Sequence, residues 1–229
     1  MIVVPAIVLL LVLLLGPQWW ASYTFRRYGE NLARVPGTGG ELARHLLDGY
    51  QMHAVQVEKL EKGGDHYDPE TRTVRLSAGN YDNHSLTAVA VAAHEVGHAI
   101  QHHRNERKLA LRTRLVKTAV TVQQLGAGIM FLMPVAVAIT RVPAAGFIMA
   151  AVGLGSMASA ALVHLVTLPV ELDASFGKAL PILKDGHYIQ PEDEVAVHRV
   201  LSAAAFTYVA GSLASLLNLA RWFAFLRRA

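Results

Sequence analysis

Cysteine is absent from the 229 residues. Disulfides and thiolate chemistry are thereby excluded, and any metal must be held by nitrogen and oxygen. Charge is also scarce: charged residues make up 17% of the chain against 53% hydrophobic residues, and the mean hydropathy is +0.33. Most soluble enzymes carry more charge than this. The formal net charge of +4 is modest and scattered. It lacks the basic stripe interleaved with aromatics that a nucleic-acid surface requires, so no nucleic-acid partner is expected. There is no internal repeat and no low-complexity tract.

Four runs contain no charged residue at all: 1–25, 118–140, 142–170 and 200–220. Each reaches the ~20 residues that cross a ~30 Å hydrocarbon layer. They predict a mainly α membrane protein with four transmembrane helices and a small α+β portion containing a short β-hairpin. In this reading 1–25 is an uncleaved N-terminal anchor, since no basic residue precedes its apolar run and "PQWW" ends it in bulky aromatics. Residues 26–117 form a first polar segment, 118–170 a transmembrane helical hairpin, 171–199 a second polar segment, and 200–229 a last transmembrane helix with its tail. Most of the 21 Lys and Arg fall in the two polar segments. The positive-inside rule then puts both segments on the cytoplasmic face of a multi-pass membrane protein.

Within the first polar segment, Thr38 and Glu41 stand at capping-box spacing ahead of Leu42, Leu46 and Leu47, which predicts a short helix. "HAVQVEKL" and "RTVRLS" read as strands, with the Gly-Gly and Asp-Pro of "EKGGDHYDPET" as the turn between them. "RTVRLS" is a candidate edge for an extended peptide to join. Asn83 or Ser85 can cap the long helix that follows.

That helix carries "AAHEVGHAIQHH", four histidines and a glutamate in twelve residues. Residues four apart share a helix face, so His94 and His98 can aim two imidazoles at one ion with Glu95 beside them as a general base. His102 repeats the spacing, but eight residues of helix separate it from His94 by ~12 Å, so it and His103 belong outside the ligand set. The glycine and histidine that define metzincins are replaced by Gln101 and Arg104, which excludes that class. A catalytic zinc site needs a third protein ligand. Glu171 in "LPVELDAS" is the leading candidate, with Asp173 as the alternative. His198 and Tyr208 are candidate donors to an oxyanion.

The stretches "DHYDPETRTVRLS", "VAVAAHEVGHAIQH", "LVTLPVELDAS" and "LSAAAFTYVAGSL", in this order, resemble the YugP-like neutral zinc metallopeptidases of bacterial membranes. The similarity runs from Tyr28 to Leu217. It implies a zincin-like catalytic portion with 26–117 as its catalytic segment, and a gluzincin site with one catalytic zinc ion, His94, His98 and Glu171 as metal ligands, and Glu95 as catalytic base. It also implies a polypeptide substrate, membrane or membrane-associated. In related membrane gluzincins the residue four after the ligand glutamate is an aspartate that orients an imidazole. Here it is Ser175, which leaves that task to Ser175 or to Asp173. The competing reading is a non-catalytic metal-binding membrane protein or an assembly partner derived from a protease. Such a protein would need the two histidines but not Glu95.

Overall fold

The computed structural model describes residues 3–141 and 143–207. Backbone contacts divide the described chain into two units. One draws on Met1–Leu14 and Leu111–Leu168, the other on Leu15–Ala110 and Pro169–Thr207. The described residues of the first unit are helical except at Arg141. It takes in the start of α1 (Val3–Arg27) and most of α5 (Arg107–Thr140) and α6 (Pro143–Leu172).

The expectation of four transmembrane helices is corrected here: among the described residues, no helix is long and apolar enough to cross a membrane. An uncharged run need not be a whole helix. The run at 118–140 is the tail of α5, whose first turns carry Arg107, Lys108, Arg112, Arg114 and Lys117. The run at 142–170 belongs to α6, which continues onto Glu171, and α1 contains Pro17. The last expected span lies mostly outside the described residues. The count of Lys and Arg assigns a face only between spans, so it assigns none here.

The second unit holds the site. Its α2 (Gly39–Gly49) starts at the predicted capping box: Glu41 N–H donates to Thr38 Oγ1 at 3.1 Å, and Thr38 N–H donates to Glu41 Oε2 at 2.8 Å. Such a cap is worth about 1 kcal/mol. It sets the helix so that Leu46 and Leu47 enter the core. Three strands follow: β1 (Gln56–Leu60), β2 (His66–Asp68) and β3 (Thr73–Ser77). Their spatial order is β1-β3-β2, with β1 parallel to β3 and β2 antiparallel to it. The short hairpin is therefore β2–β3, not the pairing of "HAVQVEKL" with "RTVRLS". Since β3 is central, it offers no free edge.

A short α3 (Ala78–Asp82) leads to α4 (Leu86–His103), capped by Ser85, whose Oγ accepts from Ala88 N–H at 3.1 Å. Every residue of α4 from Leu86 to Gln101 is buried. A helix apolar on all sides belongs in the middle of a fold. Leu47 of α2, Val74 and Leu76 of β3, Val96 of α4, Leu183 of α7 (Leu180–Asp185) and Val200 of the helical residues 194–207 pack in one cluster with it. Arg34 grips the buried Asp193 with two hydrogen bonds, at 3.0 and 2.6 Å. The central place of α4 has a consequence: its polar side chains cannot reach water and must find partners inside.

Candidate metal centre

Those partners come from the end of α6. After Leu172 the chain does not stay α-helical but runs as a π-helical segment, Asp173–Ala179, before α7. Single π turns inside helices are rare and recur at functional sites. This one packs on α4 at Gly97. A Cβ there would stand 2.8 Å from the Ala174 carbonyl oxygen and 3.3 Å from Lys178 Cβ. Glycine at this position lets the two backbones approach. Gly97→Ala is expected to destabilise the fold by about 1–3 kcal/mol, as overpacking does, and to weaken zinc binding by moving Glu171 away from α4. Denaturation midpoints and a zinc titration read the two effects.

The approach brings together His94, His98 and Glu171, all buried, with one potential ligand atom from each lying within 4.8 Å of the others. Nε2 of His94 and Nε2 of His98 each lie 3.2 Å from Glu171 Oε2. Tetrahedral zinc with bonds of about 2.0–2.2 Å sets neighbouring donor atoms about 3.3–3.6 Å apart, so the spacing suits that ion. Asp173, the alternative third ligand, faces elsewhere: its Oδ2 accepts from Gln101 Nε2 and from Lys178 Nζ, both at 2.7 Å.

Hydrogen bonding fixes the imidazoles. His94 Nδ1 lies 3.0 Å from Ser175 Oγ, and His98 Nδ1 lies 2.9 Å from Gln101 Oε1. The amide of Gln101 has one orientation, because its NH2 donates to the Val170 carbonyl at 3.0 Å and to Asp173. Its oxygen therefore accepts, and His98 Nδ1 carries the proton. Nε2 of His98 is then the nitrogen that faces the Glu171 oxygen. At 3.2 Å in a dry interior the two atoms need a proton or a metal ion between them. The donor set fits zinc: two imidazole nitrogens, each held from behind, and one carboxylate.

Electrostatics divides the two glutamates. Burial pushes the Glu171 carboxyl up, but the hydrogen bonds from His94 and His98 outweigh it and hold the group well below the usual carboxylate range. Glu95 has no such bonds to the imidazoles. Burial pushes it up to about 7, with His94 opposing and Glu171 and Asp65 adding to the rise. A carboxylate poised there suits a general base.

The β2–β3 hairpin borders Glu95, and the backbone of Tyr67 favours its charged form. The Tyr67 hydroxyl lies 2.8 Å from His102 Nδ1, which ties β2 to α4. Asp65 is more than an ordinary turn residue. Its Oδ1 accepts from Ser77 N–H at 2.7 Å and its Oδ2 from Asn80 Nδ2 at 2.8 Å, fastening the hairpin to α3. His198 is exposed, with its ring 4.9 Å from that of Phe176 and its Nδ1 3.3 Å from Ser202 Oγ. It is not in the metal group. Tyr208 lies outside the described residues. Sequence reasoning passed over Gln101 and Lys178. A glutamine among otherwise apolar positions of a buried helix was the signal for the first.

Comparison with known proteins agrees with this chemistry. Over residues 2–227 the chain matches the family described as "Putative neutral zinc metallopeptidase". It is 37% identical over 213 residues to "Putative membrane protease YugP" of Bacillus subtilis (strain 168), a match covering 91% of each chain. No solved structure matches. The chain belongs to the neutral zinc metallopeptidase family.

Proposed function

We propose that this chain is a gluzincin-type zinc endopeptidase in which His94, His98 and Glu171 hold the ion and Glu95 is the general base. The observation that carries the reading is the pair of imidazole nitrogens directed at one Glu171 oxygen, both at 3.2 Å. When bound, zinc acidifies a water molecule and polarises a peptide carbonyl. Glu95 sits next to His94 on α4, is not one of the three ligand groups, and takes the proton of the attacking water. It then returns that proton to the leaving amine.

The substrate in this reading is an extended polypeptide. With β3 central in the sheet, the edge beside the site is β2, so an added strand would lie along His66–Asp68. Among the described residues, His198 beside Phe176 is the proposed donor to the developing oxyanion, with Tyr208 as the alternative. A membrane location is supported by the name of the Bacillus relative. It is also supported by large apolar side chains left exposed on single helices: Trp19 on α1, and Leu125, Phe131 and Ile139 on α5, are 65–83% exposed. Apolar exposure of this kind marks contact with lipid or protein.

The test is cleavage of an unstructured protein such as casein, read as new amino termini. Activity is expected in the zinc-loaded protein, lost with a chelator and restored by one equivalent of zinc. Zinc-loaded protein that binds the ion yet releases no termini would return the chain to the non-catalytic metal-binding reading.

A further inference from the structure

Behind His98 the hydrogen bonds continue well past the amide that orients it. Gln101 donates to Asp173 Oδ2 at 2.7 Å, Lys178 Nζ donates to the same oxygen at 2.7 Å, and Lys178 also pairs with Glu106 at 3.1 Å. The π-helical segment makes this possible. Residues five apart on an α-helix diverge by about 140° at 100° per residue, whereas hydrogen bonds in a π-helix run over five residues and bring them into line. Asp173 and Lys178 are five apart inside that segment. Gly177 completes the arrangement, since a Cβ there would collide with Asp173 Oδ1.

We propose that Lys178, Asp173 and Gln101 form a positioning relay for the metal ligand His98. The ammonium fixes the carboxylate, the carboxylate fixes the amide, and the amide holds the Nδ1 proton so that Nε2 keeps its lone pair for the ion. This rests on the metal reading above. The charge of Asp173 also polarises the amide and, through it, makes His98 a stronger donor to the metal. Ser175 gives His94 a single contact, so the two imidazoles are supported unequally and His98 is the one tied to a charged network.

The far end of the relay is accessible. Lys178 lines a cavity of about 450 Å³ together with His45, Arg104 and Tyr188. A small alkylammonium can therefore enter and stand in for a deleted lysine. The experiment compares zinc dissociation constants of wild type, Gln101→Met and Lys178→Ala by competition with a chromophoric chelator, with circular dichroism confirming the fold. Gln101→Met is expected to bind zinc about 10–100-fold more weakly and Lys178→Ala about tenfold, the range for loss of groups that orient a ligand. Methylammonium chloride should bring Lys178→Ala back toward wild type, and sodium chloride at the same ionic strength should not.

A folded Gln101→Met with wild-type affinity overturns the relay, as does a Lys178→Ala protein that is unchanged or indifferent to methylammonium. If Gln101→Met does not fold, the Lys178→Ala arm decides alone. A wild type that binds no zinc removes the metal reading itself, and the relay with it.

Discussion

Replacing Glu95 with glutamine is expected to lower kcat by about 10²–10⁴-fold, the contribution of a positioned general base, while the zinc content stays at one ion per chain. The two halves of that result have separate causes. Glutamine has nearly the shape of glutamate, and Glu95 is not among the three groups that converge on one point, so the ion keeps its ligands. An amide, however, cannot accept the proton of the attacking water. Steady-state cleavage with metal analysis on the same samples reads both halves. A Glu95→Gln protein that keeps its zinc and cuts at the wild-type rate would remove Glu95 from the mechanism. A protein that loses its zinc would instead make Glu95 part of the metal-binding set.

The imidazole pair was legible because it needs only an α-helix: spacing by four places two side chains on one face whatever the rest of the fold does. Glu171 was legible for a different reason, as an acidic residue returning to the site after a long apolar detour. What the sequence concealed was the helical frame in which Glu171 sits. An α-helical frame leaves Ser175 and Asp173 as rivals for one task. The π frame gives each its own: Ser175 meets His94, and Asp173 meets Gln101 and Lys178. Nothing in the composition of "DASFGKA" announces a π turn.

The sheet failed in the sequence reading for topological reasons. A parallel pair has no local turn to betray it, so β1 and β3 read as the two arms of one hairpin. The three residues of β2 read as part of the turn. Tyr67 and Val74 are in fact the cross-strand partners. The expectation of four spanning helices failed because the length of an uncharged run measures what a segment can do, not where its helix begins. α5 starts eleven residues before its uncharged run, in a region rich in Arg and Lys. The exposed apolar side chains on that helix keep contact with lipid in the proposal without a spanning helix among the described residues.

Glu171→Gln should produce the largest loss of metal. Its side chain is fully buried, 0% exposed, and one oxygen faces both imidazoles. The replacement keeps the shape but removes the only negative charge in the ligand set, and a neutral amide oxygen is a poor ligand for zinc beside two imidazoles. Loss of an outer partner already costs about 10–100-fold in affinity, so loss of a ligand is expected to cost more than about 100-fold. Thermal unfolding shows this directly. At free zinc 100-fold above the wild-type dissociation constant, binding stabilises the wild type by about 2.7 kcal/mol. A 100-fold weaker site at the same zinc concentration is stabilised by only about 0.4 kcal/mol. The midpoint shift on adding zinc should therefore nearly vanish in Glu171→Gln. Asp173→Asn discriminates the rival ligand. It should lose only the smaller, relay-sized part of the affinity, and zinc should still raise its midpoint clearly. If the two variants exchange these behaviours, Asp173 is the third ligand, and the helical frame that presents Glu171 to α4 has been misassigned.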